Sequence, residues 1–197
     1  MTKTDLMKQV FIDIVNLKAS PLYEYRIKNK YLPVIGEGSH DAKIMFIGEA
    51  PGRNEAETGH PFCGRSGKML DELLKSINLD RKEVYITNIV KDRPQDNRDP
   101  LPEEIEIYAP FLLKQIEIIK PKIIATLGRF SMQYVMERYG LKDKLAPIGS
   151  LHGKVFDTKI DGEDIKVVPL YHPAVAIYNQ HTKVDLMKDF KILKQYI

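Results

Sequence analysis

The stretch KIMFIGEAPG, residues 43–52, decides the fold: a short apolar run without helical spacing stops at a glycine, a glutamate and a Pro-Gly turn. An apolar run of that length bounded by turn residues predicts a strand buried on both faces, the kind found in parallel sheets. Ser66 then stands as a cap before KMLDELLKSI, where Leu70, Leu73, Leu74 and Ile77 form one apolar helical face. The unit recurs. VYITNIV (Val84 to Val90) predicts a strand, a polar loop runs to Pro102, and EEIEIYAPFLLKQIEIIK predicts a long helix that Pro110 should kink or split. KIIATLG (Lys122 to Gly128) is a third strand, feeding a helix through Tyr139, and segments 154–158 and 165–170 flank Asp161-Gly162 as a hairpin. Outside these, Leu6, Val10, Ile14 and Leu17 predict a first helix over Asp5–Lys18, Gly36 to His40 reads as a loop, and a last helix is expected over Val184–Tyr196. Strands alternating with helices imply a parallel sheet covered on both faces, with ligands bound at the carboxyl ends of its strands.

At 197 residues the chain suits one domain, and 43% hydrophobic with 29% charged residues is a globular composition rather than a disordered one. Thirty Lys and Arg against 27 Asp and Glu give a net charge of +3, which permits a nucleic-acid partner without requiring one. The only cysteine is Cys63, so no intramolecular disulfide and no all-cysteine zinc or iron–sulfur site can form, and a reducing cytoplasm is the expected location. The charged N-terminus has no apolar signal core, and no run approaches the roughly 18 apolar residues of a membrane span.

Three polar segments sit where strands end: Gly48 to Gly52, Thr87-Asn88, and Tyr171-His172-Pro173. They should converge. Gly64 to Met69 superficially suggests a phosphate loop, but Phe62 stands where its first glycine belongs and Met69 replaces its metal-binding hydroxyl.

The segment Glu49 to Gly67 (EAPGRNEAETGHPFCGRSG) resembles the first signature of the family 4 uracil-DNA glycosylases, GE-x-PG followed by an acidic stretch and G-x-PF-x-GR-x-G. Thr87 to Lys91, with Arg93-Pro94 and Asn97 to Pro100, is similar to the second signature, Pro121 to Gly128 to a further strand motif, and His172-Pro173 to the third. The resemblance covers roughly residues 17–180. It implies an α/β three-layer sandwich, one domain over residues 1–197, with a central four-stranded, mostly parallel sheet flanked by helices. It further implies an enzyme that releases uracil from DNA; a monomer is expected, and because the chain offers no ligand set, no metal or other cofactor is expected either.

A base can be reached by such an enzyme only after it is flipped out of the duplex, stacked, and read along its pairing edge. Phe62 is the candidate stacking ring and Asn88 the candidate reader, since an asparagine amide offers a donor to O4 and an acceptor to N3–H, a pattern cytosine reverses. Cleavage leaves positive charge on the sugar and negative charge on uracil. By resemblance Glu49 positions the attacking water and faces the sugar, while His172 donates to uracil O2. The backbone of Ala50, Pro51 and Gly52 meets the base or a phosphate. Arg53, Arg65, Lys68, Lys91, Arg93 and Arg98 are candidate phosphate contacts, and Val175 or Ile177 a minor-groove wedge.

The chain departs from the family in two places. Ala174 and Tyr178 replace the usual serine and arginine of the third signature, which removes one expected phosphate contact. The family's [4Fe–4S] ligand positions, aligned on the flanking motifs, here hold Leu17, Ser20, Asp92 and Tyr108, so the cluster is expected to be lost and its place filled by Leu17 and Tyr108 packing together, with Ser20 and Asp92 as polar partners. The absence of histidine from Lys91 to Pro100 argues against a relative that cross-links to abasic DNA. The non-enzymatic alternative is a protein of the same fold that binds DNA or damaged bases without cutting them, or with altered specificity.

Overall fold

The computed structural model describes residues 1–196. In chain order the helices are α1 (Lys3–Val15), α2 (Tyr23–Lys28), α3 (Arg53–Thr58), α4 (Arg65–Ser76), α5 (Pro102–Ile119), α6 (Arg129–Arg138), α7 (Ile148–Leu151), α8 (Pro173–Tyr178) and α9 (Gln180–Leu193). The strands are β1 (Glu37–Gly38), β2 (Ile44–Gly48), β3 (Tyr85–Asn88), β4 (Ile123–Leu127), β5 (Phe156–Ile160) and β6 (Glu163–Leu170). They form one sheet in the order β1-β3-β2-β4-β6-β5.

The inner four strands, β3, β2, β4 and β6, are mutually parallel. The four-stranded expectation describes this centre, and an antiparallel strand at each edge extends the sheet to six. One edge is the outer arm of the expected hairpin: Ile160 pairs with Glu163, and Asp161 and Gly162 both take positive φ, 52° and 84°, as a two-residue primed turn requires. The other edge, β1, lies inside the segment read as a loop. Two residues carry no periodicity, and Gly38 comes so near Val84 that an added Cβ would lie 1.9 Å from its carbonyl oxygen.

Alternate side chains divide the core into two layers, as the pleat requires. Met45, Ile47, Ile124 and Val167 face one layer with α1, α5 and α6, while Phe46, Ala125, Val168 and Leu170 face the other with α4, α8 and α9. This is the expected sandwich of helices, sheet and helices. Helix α1 starts at a capping box, with Thr2 Oγ1 accepting from Asp5 N and the Asp5 carboxylate accepting from Thr2 N, and it buries Met7, Val10 and Ile14. It ends at Val15, so Leu17 lies in the turn beyond it rather than on its face. Helix α5 is not split by Pro110: both Pro110 and Glu106, whose carbonyl loses its donor, are exposed to water, while Tyr108, Leu112, Gln115 and Ile116 hold the buried side. Helix α9 begins earlier than expected because Asn179 Oδ1 accepts from His181 N and Thr182 N. Among the described residues no helix is long and apolar enough to cross a membrane.

Candidate active site

A cavity of 180 Å³ opens at the carboxyl ends of β2, β3 and β6, walled by Ala50, Gly52, Glu55, Phe62, Ser66, Asn88 and His172. The sheet brings together side chains that are 39 to 123 residues apart from Glu49 in the chain, because parallel strands all end on the same side. Asn88 closes β3, buried to 2% exposure, and its side-chain amide makes no hydrogen bond within the protein among the described residues. The amide opens onto the chamber, where a ligand or water can take its hydrogen bonds. Gly48 makes room for it: a Cβ there would stand 2.3 Å from Asn88 Oδ1 and 2.8 Å from the Phe62 ring.

Phe62 is buried, with φ of 49°, a left-handed conformation that a phenylalanine adopts only under constraint. The Arg81 guanidinium supplies that constraint by donating to the carbonyls of Pro61 and Phe62 while also pairing with Asp71. Gly67 adds to it, since any Cβ would collide with the Phe62 carbonyl, 1.6 Å away. The ring sits 5.7 Å, centroid to centroid, from that of His172, tilted by 32°.

His172 caps α8, its Nδ1 accepting from Ala174 N at 3.2 Å. An accepting Nδ1 in a neutral ring leaves the proton on Nε2. Burial lowers the imidazole's pKa, with the charge of Glu55 in partial opposition, so the ring stays neutral with one donor to offer. Glu49 follows β2, half-buried and outside the cavity wall itself. Burial pushes its carboxyl up to about 7; Asp99 adds to the rise and Arg129 opposes it. Asp99 and Arg129 are themselves paired at 2.8 Å.

The remaining sequence candidates fall into two groups. Arg53, Arg65, Lys68 and Val175 are exposed, Arg53 pairing with Glu57 and Arg65 lying 5.6 Å from the Tyr178 ring centroid; Ile177 is half-buried against the α4 layer. Lys91 does not belong with the phosphate contacts. Its side chain is fully buried, and Nζ donates to Asn88 O, Thr87 Oγ1 and Gln115 Oε1, out of reach of any phosphate. Arg93 is also largely withdrawn, donating to Asn97, Tyr25 and Tyr31, and Arg98 is held by Glu104. Arg93 and Arg98 stand among charged and polar neighbours, which disguised the burial, whereas the apolar Ile89-Val90 just before Lys91 was a signal for it.

Three contributors escape the sequence reading. Glu55 lines the cavity and accepts from Cys63 N and Gly64 N, tying the two halves of the 49–67 segment. Its place within an acidic stretch of the signature was the available signal. Ser66 lines the cavity from the second position of α4; the expected serine cap is not formed, because the helix already starts at Arg65 and Gly64, which has no side chain to accept, takes the cap position. Arg81 acts through backbone carbonyls, which leave no mark on sequence.

The positions aligned with cluster ligands do not fit an iron–sulfur group, whose thiolates cannot come from Leu17, Ser20, Asp92 and Tyr108. Ser20 Oγ and Tyr108 OH lie 2.8 Å apart, and Tyr108 OH donates to Asp92 Oδ2 at 2.5 Å. Arg26, an unforeseen member, donates to both Asp92 oxygens at 3.1 Å and to the carbonyls of Ile14 and Val15. Leu17 packs at the margin of the apolar cluster that contains Tyr108. Hydrogen bonds and one buried ion pair thus join the segments at this place.

The α/β sandwich thus sets an aromatic ring, an amide without a partner among the described residues and a neutral imidazole around one small chamber. The chain belongs to the uracil DNA glycosylase superfamily, whose family profile matches residues 35–194. It is similar to the type-4 uracil-DNA glycosylase of Sulfurisphaera tokodaii, 41% identical over 192 residues that cover 97% of this chain and 84% of that protein. The type-4 enzyme of Saccharolobus solfataricus is 47% identical over 163 residues, 82% and 74% of the two chains. That of Thermotoga maritima is 36% identical over 198 residues, 100% and 97% of the two chains.

Proposed function

We propose that this protein is a monofunctional uracil-DNA glycosylase, which flips uracil out of DNA and hydrolyses its N-glycosidic bond, the first step of base excision repair. The observation that carries the reading is the Asn88 amide, which opens onto the chamber with no hydrogen-bond partner among the described residues. Uracil presents O4 and N3–H to such an amide in matching order; cytosine presents the reverse.

Phe62 stacks the flipped ring, and the His172 Nε2–H donates to O2 as the leaving uracil becomes anionic. A neutral imidazole serves that role because it offers a fixed donor without giving up its proton. Glu49, beside rather than within the base chamber, faces the sugar. As a carboxylate it holds the attacking water and opposes the positive charge of the oxocarbenium-like sugar. The backbone of Ala50 to Gly52 borders the base, and Arg53, Arg65, Lys68 and the exposed part of Arg98 supply phosphate contacts, with Val175 placed to wedge into the stack. The chamber is complete within one chain, which supports action as a monomer.

The deciding assay is cleavage, after alkali, of oligonucleotides carrying uracil, hypoxanthine or undamaged bases. Cutting at uracil alone or preferentially is expected. Binding to uracil-containing DNA with no base release would replace this reading by that of a damage-binding protein.

A further inference from the structure

Lys91 has no part in the chemistry described so far, yet it is the costliest side chain to bury. It is fully inaccessible, and among the described residues no carboxylate pairs with it. An ammonium removed from water without a counter-charge loses several kcal/mol of hydration, by order of magnitude, unless hydrogen bonds replace it. Here they do: three short contacts, to Asn88 O at 2.6 Å, Gln115 Oε1 at 2.6 Å and Thr87 Oγ1 at 2.7 Å, with Ile35 O farther off at 3.4 Å, match the three N–H bonds of an ammonium and oppose the burial that pulls the lysine's pKa well below its usual value. The acceptors are themselves anchored. Thr87 Oγ1 donates to Ile35 O at 2.7 Å, and Gln115 Nε2 donates to Ile35 O at 2.9 Å and to Tyr85 OH at 3.1 Å.

The strand pleat gives this network its direction. Thr87 faces the α5 layer, where Gln115 and Lys91 are; Asn88, the next residue, faces the opposite layer, where Phe62 and His172 wall the chamber. The ammonium therefore grips the main chain of Asn88 from behind the sheet while the Asn88 amide stands free in front. Lys91 is held at its own backbone too, its carbonyl accepting from Val34 N at 2.7 Å. Among the described residues no hydrogen bond orients the Asn88 amide from the chamber side, so its aim is set by the peptide to which it is attached.

We propose that Lys91 is a positioning residue for uracil discrimination, fixing the Asn88 peptide from the rear so that its amide meets the pairing edge of the base. This rests on the reading of Asn88 as the uracil contact. The nearest neighbours of the ammonium are neutral dipoles, so it acts as a rigid three-donor clamp and not as an ion-pair partner.

The test compares Lys91→Met, which keeps the stem and deletes the donors, with Lys91→Gln, which keeps an N–H on a shorter neutral stem. Each is measured for inhibition by free uracil, for affinity to a duplex containing an abasic-site analogue, and for thermal unfolding. Loss of one buried hydrogen bond's worth of alignment should weaken uracil inhibition roughly three- to tenfold in Lys91→Met, and less in Lys91→Gln, with affinity for the abasic duplex unchanged in both. Wild-type uracil inhibition in Lys91→Met overturns the proposal, as does a parallel loss of uracil and abasic-duplex affinity in Lys91→Gln, which would make the residue merely structural. Should Lys91→Met fail to fold, the same comparison in Lys91→Gln decides. Asn88→Ala is run alongside: unchanged uracil inhibition there would defeat the assignment of Asn88 itself, whereas loss in Asn88→Ala with none in the lysine variants defeats only the role of Lys91.

Discussion

Replacing Asp92 by alanine removes the acceptor on which two buried donors converge at the place aligned with the relatives' cluster. Tyr108 OH would keep Ser20 as a partner and lose one charge-assisted hydrogen bond, a cost of about 1.5 kcal/mol. Arg26, 3% exposed, would lose both carboxylate contacts and keep two backbone carbonyls. Breaking a buried ion pair by deleting one partner costs about 3–5 kcal/mol, and the surviving carbonyls place this case near the lower end. The sum is roughly 4 kcal/mol, a large share of the 5–15 kcal/mol by which a domain is stable. For a chain of this size that corresponds to a fall in Tm of about 8–16 °C, at 2–4 °C per kcal/mol. Urea unfolding at neutral pH, followed by circular dichroism, gives the free energy directly. The double replacement Arg26→Met with Asp92→Leu removes the charge together with its partner and should fall within about 1 kcal/mol of wild type. A loss below 1 kcal/mol in Asp92→Ala, or a double variant as unstable as the single one, would show that this network does not hold the segments together.

Three further outcomes are expected. The pH profile of kcat/KM should rise through about 7 as Glu49 ionises and then level, because its folded carboxyl titrates there and the carboxylate is the working form; Arg129→Ala should move the rise to higher pH and Asp99→Asn to lower pH, and a limb indifferent to both would separate it from Glu49. Glu49→Gln should lower excision by about two orders of magnitude or more while leaving affinity for uracil-containing DNA near wild type, and should raise stability at pH 8, since a carboxyl raised by burial weakens the fold once it is forced to ionise; an equal loss of binding in filter or fluorescence assays would make Glu49 structural. Excess chelator should change neither Tm nor excision, with the purified protein colourless; stoichiometric iron, or inactivation by chelator, would refute the alignment of Leu17, Ser20, Asp92 and Tyr108 with ligand positions.

Local chemistry alone determined the repeating strand–turn–helix order, the primed turn at Asp161-Gly162 and the gathering of Glu49, Asn88 and His172 at one end of a parallel sheet. These are legible because apolar runs, glycines and prolines act within a few residues of where they stand, and because parallel strands must share an end. The lack of thiolate ligands at the four aligned positions was equally plain, since a thiolate cannot be supplied by a residue that has none. Tertiary structure decided what depends on distant partners. The sequence DRPQDNR reads as a solvated, charge-rich loop, yet its preceding Lys91 is driven under the sheet by Gln115 and Thr87, residues 24 and 4 positions away. Arg26, on a short helix with nothing to mark it, becomes the charge that completes the Ser20–Tyr108–Asp92 tie from 66 residues away. Edge strand β1 forms through proximity to Val84 rather than by its own propensity. Whether a cation faces phosphate or backbone is settled by which acceptors the fold brings to it, and that information lies in packing rather than in the residue's immediate neighbours.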